Sequence, residues 1–175
     1  MMHFLANLWR KLGLPKDIQL SIMRVVQDEF LVGVTGVILN DKREVLLFKH
    51  TYRQVQWSLP GGYIKKGEHP AEGLEREIAE ESGFIVSADE ELKIRTDRSN
   101  ARLDIGFTGM FIGGEFKPSH EVSAYGFFTL DTLPLITRSQ LVLINSVLKH
   151  QPLAVASAVV LKQTFSQKLK NLFTS

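Results

Sequence analysis

The chain has 175 residues, 44% of them hydrophobic, which suits one domain with a full core. It carries no cysteine, excluding disulfides, thiol catalysis and cysteine-bound zinc and fitting a reducing cytoplasm. A net charge of +2 is too mild to imply a nucleic-acid partner, no apolar run reaches membrane-span length, and no cleavable signal pattern is visible.

Residues 1–28 read as two short helices. The first carries Phe4, Leu5, Leu8 and Leu12 beside Arg10 and Lys11, and Gly13-Leu14-Pro15 breaks it. Asp17 is placed to cap the second, whose Ile18, Ile22, Val25 and Val26 fall at helical spacing. Such a basic amphipathic opening can touch a membrane surface. More often it packs on its own domain or on a second subunit, and a homodimer contact is the expectation.

Phe30 to Leu39 is rich in β-formers, Asn40-Asp41-Lys42 is a turn, and Glu44 to Phe48 resumes as a strand. Together they predict a hairpin at the centre of a sheet. His50 to Gln54 follows as a polar loop leading to Trp57. Lys49, His50 and Arg53 there are either ordinary surface residues or phosphate-facing ones.

From Glu68 to Glu81, six glutamates face Arg76 as the one full positive charge, a local −5 in a chain whose total is +2. Gly61-Gly62 precedes them, Pro70 suits a first helical turn, and Gly83 is a natural stop, so Glu68 or His69 to Ser82 should be helical. At about 100° per residue, Glu77 and Glu81 share one face with Glu80 beside them. Ala71, Leu74 and Ile78 form the neighbouring buried stripe. Glu runs are usually solvated. Like charges one turn apart cost a helix a few tenths of a kcal/mol each, however, and beside a buried stripe they call for a cation. Hard divalent ions such as Mg²⁺ prefer carboxylate oxygens and recruit phosphates.

Beyond the helix, Ile85-Val86 and Glu91 to Thr96 read as extended, Asp97 to Arg102 as a polar loop, and Leu103 to Ile112 as a long strand ending at Gly113-Gly114. Glu115 to Glu121 is a loop, Ala124 to Thr129 a strand, and Ser139 to His150 a helix with Leu141, Leu143, Ile144 and Leu148 inward. Pro152 to Ser175 reads as a C-terminal amphipathic helix. Strands interleaved with helices indicate an α/β domain with a mixed sheet between helices. The expected organisation is a helical extension (1–28), a central domain (29–150) and a helical tail (151–175).

Gly62, Glu68, Arg76-Glu77-Ile78, Glu80-Glu81 and Gly83-Phe84 match the Nudix hydrolase signature, G-x5-E-x7-R-E-U-x-E-E-x-G-U with U apolar, at every specified position. Residues 30–149 resemble that family, whose members cleave nucleoside diphosphates linked to another group. The resemblance implies an α/β/α sandwich with the signature as a loop–helix–loop at one edge of the sheet. It implies Mg²⁺, with Mn²⁺ as an alternative, held by Glu77, Glu80 and Glu81, with a carbonyl of Gly61 or Gly62 as a further ligand. Arg76 then reads as a holder of Glu68 or Glu80, and Glu72 and Glu75, outside the signature, as solvated. The general base is expected to be Glu121, with Glu80 competing. Trp57 reads as core, while Tyr52, Tyr63 and Phe111 are candidates for stacking a nucleobase, and Arg53 and Lys49 for contacting phosphate. ADP-ribose hydrolases often carry proline about sixteen residues beyond the signature, where this chain has Ser99-Asn100. Gly113 to Pro134 does resemble nucleoside-diphosphate-sugar and ADP-ribose hydrolases, so such substrates are favoured. Cleavage of (d)NTPs or of 5′-triphosphate RNA, or a sensing domain without turnover, remains the alternative.

Overall fold

In the computed structural model the described residues are 13, 15–26, 30–97 and 100–150. The predicted first helix and C-terminal tail lie outside them. The elements in order are α1 (Lys16–Val26), β1 (Leu31–Leu39), β2 (Val45–His50), β3 (Trp57–Ser58), β4 (Gly61–Tyr63), α2 (Pro70–Ser82), β5 (Phe84–Asp97), β6 (Arg102–Gly114), β7 (Val122–Phe128) and α3 (Arg138–His150).

The strands form one mixed sheet with the path β3-β2-β1-β6-β5, to which β4 adds beside β1 and β7 beside β2. β1 pairs parallel with β6 along its whole length, Leu31 beside Arg102 through Leu39 beside Met110. On its other side β1 pairs antiparallel with β4 from Gly33 to Thr35, and with β2 only through Leu39 and Val45. The predicted hairpin turn is formed. The Asn40 carboxamide oxygen accepts from the amides of Lys42 and Glu44, at 3.0 and 2.9 Å. Beyond that turn the strands part: β2 finds β7 and β3, and β1 finds β4 and β6. The fork opens where the chain passes through Gly61-Gly62.

Each sheet face has its own core, as strand alternation demands. Val34, Ile38, Leu46, Phe48, Ile105 and Phe107 join Leu74 and Ile78 of α2 on one face. Val37, Leu39, Val45, Leu47 and Leu59 join Ile144 and Val147 of α3 on the other. The helix of the signature therefore covers a face of the sheet and is not confined to its edge. Trp57 packs with the α3 core, edge-on to Phe128 at 5.2 Å between ring centres. Phe111 is half-buried and packs edge-on to Phe84 and Phe127 beside the α2 core.

Candidate active site

The signature helix is fixed at both ends by its own side chains. His69 caps it, with Nδ1 accepting from the amide of Ala71 at 3.3 Å, and the Glu72 carboxylate accepts from the His69 amide at 3.2 Å. Glu72 is thus part of a capping box. Glu75 likewise accepts from the amide of Ala88 in β5 at 2.8 Å. Glu72 is exposed, as expected, whereas Glu75 is half-buried by its bond, which corrects its reading as solvated. At the other end Gly83 adopts φ +74° and donates to the carbonyl of Ala79 at 2.9 Å. A side chain there would be strained and would press on the Glu115 carbonyl, 2.6 Å from a Cβ.

Arg76 organises the polar face. Its guanidinium grips Glu68 by two bonds, Nε to Oε1 at 2.7 Å and Nη2 to Oε2 at 3.0 Å. Nη1 donates to Glu77 Oε1 at 2.8 Å and to Glu80 Oε2 at 3.0 Å, and Nη2 to the Tyr63 carbonyl at 3.0 Å. One planar fork therefore locks the loop of Tyr63, the turn of Glu68 and two carboxylates of the helix. Its side-chain bond to Arg76 is the main reason the Glu68 carboxyl is held at about 2. Glu80 is half exposed and also pairs with Lys65 Nζ at 3.1 Å, and that bond first, then the charges of Lys65 and Arg76, lower its pKa.

Glu81 lies in different surroundings. Burial chiefly, then the charges of Glu121 and Glu77, push its carboxyl up to about 7, while Arg53 pulls the other way. Its Oε2 is buried without a hydrogen-bond partner. The structure thus gathers Glu77, Glu81, Glu121 and Arg53, which the sequence singled out from separate segments. Arg53 is anchored by Nη1 to Ser58 Oγ at 3.0 Å and lies 5.6 Å from the centre of the Tyr52 ring. Glu121 is exposed, and its Oε2 accepts from Tyr52 Oη at 3.3 Å. Lys49 is not part of this group: by strand alternation it shares the α3 face with Leu47, opposite to Phe48. His50, buried with both ring nitrogens unpartnered and held by burial and Arg53 at about 4, is a neutral imidazole beneath the loop.

The glycine pair closes the site from the sheet side. A Cβ on Gly62 would overlap the Glu77 carboxylate, and one on Gly61 would overlap the carbonyl of Val34. Only glycine lets the main chain pass this close. Tyr63 is half exposed, with its ring 6.0 Å from the Arg102 guanidinium.

These residues suit a hard divalent cation. The donor set is all oxygen, one buried carboxylate oxygen is orphaned, and the repulsion among Glu77, Glu81 and Glu121 is of the kind a cation relieves. Among the described residues, however, no three acidic or histidine side chains converge as a finished ligand set. The Arg76 guanidinium occupies one oxygen of Glu77 and one of Glu80.

The family model of the NUDIX domain matches residues 29–145, and the chain belongs to that family. It is 33% identical over 109 residues to an ADP-ribose pyrophosphatase of Methanocaldococcus jannaschii, covering 59% of this chain and 64% of that protein. It is 32% identical over 93 residues to a human 8-oxo-dGDP phosphatase, covering 52% of this chain and 28% of that one. The chain thus spans less than two thirds of the length of these curated relatives. Among solved structures, an ADP-ribose pyrophosphatase from Streptococcus suis superposes with a TM-score of 0.60 at 26% identity, over 71% of this chain and 96% of that one. Among the described residues no helix is long and apolar enough to cross a membrane.

Proposed function

We propose that the chain is a Mg²⁺-dependent pyrophosphohydrolase, with Mn²⁺ able to substitute, acting on a nucleoside diphosphate linked to a sugar or similar group. The observation that carries this is the half-buried carboxylate of Glu81, its Oε2 orphaned, facing Glu77 and Glu121 beside Gly61-Gly62. Family membership and the ADP-ribose pyrophosphatase relatives support the pyrophosphatase reading and the substrate class.

In this reading Glu77, Glu81 and, after turning away from Lys65, Glu80 hold the cation, with the Gly61 carbonyl as a further oxygen. A bound ion would supply neutralisation of phosphate charge and a water of lowered pKa. Arg76 is a positioning residue: its bonds to Glu68 and the Tyr63 carbonyl set where Glu77 and Glu80 point. Arg53 faces the phosphates with its guanidinium. Glu121 takes the proton of the attacking water. It is the better base because it is exposed and bonded to a single hydroxyl, whereas Glu80 is held ionised by Lys65 and Arg76. A cytoplasmic location and a homodimer go with this reading.

The test is a mass-spectrometric screen over NDP-sugars, dinucleoside polyphosphates, (d)NTPs and 5′-triphosphate RNA, with and without Mg²⁺. Products from an NDP-sugar or ADP-ribose that vanish on chelation are expected. Preferred turnover of nucleotides such as 8-oxo-dGDP, the substrate named for the human relative, would replace the substrate class. Binding without product in every case would make the chain a sensor.

A further inference from the structure

A second feature lies on the far side of the β1–β4 pair from Glu77. Between the N-terminal turn of α3 and the sheet is a cavity of about 650 Å³. Strand register builds one wall from cations: Lys93 stands opposite Gly106, Arg95 opposite Asp104, and Arg102 two residues before it. Arg138, the first residue of α3, closes the other side. Asp104 is the sole carboxylate in the lining, so the four cations leave a net +3.

Asp104 is already committed, to Arg102 Nε at 2.8 Å and Nη2 at 2.9 Å and to Arg95 Nη2 at 3.6 Å. Lys93 and Arg138 have no ion-pair partner among the described residues. The lining has no aromatic ring, only Val142 and Leu143 as large apolar side chains. Gln140 Oε1 is buried without a hydrogen bond and, as an acceptor, suits a ligand hydroxyl and not an anionic oxygen. Cations that converge on a concave wall repel one another, and the ligand that relieves them is an anion with several oxygens.

The cavity and the candidate active site lie on opposite faces of the short strand β4. Thr35 in its lining pairs with Gly61, one residue from the glycine that meets Glu77. Arg102 reaches Tyr63, whose carbonyl is bonded to Arg76. A substrate whose pyrophosphate lies at Glu77 and Glu81 would reach this cavity by crossing β4 at Gly61, which carries no side chain.

We propose that the cavity binds a phosphomonoester of the substrate, so that the preferred nucleotide carries a further phosphate outside the cleaved bridge. This rests on the pyrophosphohydrolase reading for its location but not for its chemistry. Lys93 and Arg138 supply the open charges, and Arg95 and Arg102 share theirs between Asp104 and the ligand.

Two measurements test it on the full chain. The first titrates inorganic phosphate into metal-free protein and follows backbone amide resonances. Saturable shifts at Lys93, Arg95, Gly106 and Arg138 to Gln140 are expected, with affinity weakened about tenfold or more in a Lys93→Gln, Arg138→Gln double variant. The second compares kcat/KM within pairs differing by one phosphomonoester: ADP-ribose and its 2′-phosphate, NADH and NADPH, dephospho-coenzyme A and coenzyme A. At least one phosphorylated member should be preferred about tenfold or more, with the ratio falling toward one in the double variant. If no member of any pair is hydrolysed, the pyrophosphohydrolase reading fails and the phosphate titration alone decides the cavity. Absent shifts at those amides, or ratios near one for every hydrolysed pair, overturn the proposal.

Discussion

Two buried titratable groups give this protein opposing responses to pH. Glu81 has its carboxyl raised from 4.5 to about 7. Its ionisation opposes folding, so the stability it contributes is full below about 4.5 and is lost as pH rises through about 7. The metal-free wild type should therefore lose about 1–2 kcal/mol across that window, after allowance for solvent screening, relative to Glu81→Gln. Glu81→Gln should also cut metal-dependent turnover by about 10² or more. Paired thermal melts and rate measurements check both; equal loss of metal-free stability and activity would make Glu81 structural. His50 works the other way, lowered from 6.5 to about 4. The unfolded chain takes up its proton first, so stability falls as pH drops from about 6.5 to about 4, by about 1–3 kcal/mol relative to His50→Gln. Denaturant midpoints measured at pH 7, 5.5 and 4.5 read this directly, and parallel curves for the two proteins would refute it. Arg76→Lys keeps the charge and loses the fork that binds Glu68 twice. A stability loss of about 1–3 kcal/mol is expected. Weaker activation by Mg²⁺ in a titration should accompany it, and an unchanged Mg²⁺ midpoint would remove Arg76 from the positioning of Glu77 and Glu80.

At the scale of elements, the signature helix depends on where it stops. Gly83→Ala puts a Cβ on a left-handed residue and against the Glu115 carbonyl. It should cost about 1–3 kcal/mol, read as a lowered melting temperature; an unchanged one would mean the loop at Glu115 yields freely. This helix was legible in sequence because its signals are local: Pro70 at the first turn, apolar Leu74 and Ile78 a turn apart, and glycine at the end. The β1–β2 hairpin was legible only at its turn. Asn40 announces the reversal, but nothing near Val34 tells that its partners are Gly62 and Ile105. The same distance hid the short strands β3 and β4 and the bonds of Glu75 to Ala88. The carboxylate site was half visible, since Glu77 and Glu81 share a helix, whereas its approach to Arg53 depends on the fork of the sheet. The placing of Lys49 on the α3 face follows from strand alternation and was not visible while it read as part of a loop. The basic cavity left no sequence signal, because Lys93, Arg95, Arg102 and Arg138 come from three elements.

For the whole molecule, α1 leaves Ile18 and Val25 exposed, seven residues apart and so on one face, a face that suits a second copy of the chain. If the N-terminal helices join two copies, light scattering should give a dimer mass for the full chain, and deletion of residues 1–27 a monomer or aggregate. A full-length monomer at high concentration would end that idea. The parallel pairing of β1 with β6 reaches further, into how the molecule comes to exist at all. The two strands lie about seventy residues apart in sequence, and closing so long a loop is entropically costly and slow. During synthesis β1 emerges early and waits, as an apolar strand with one open edge, until β6 has left the ribosome. α2 faces the same delay, since Leu74 and Ile78 pack against residues on both strands. Chains halted between β5 and β6 should thus be the aggregation-prone species, so a rare-codon pause placed there is a hazard that one placed after Gly114 is not.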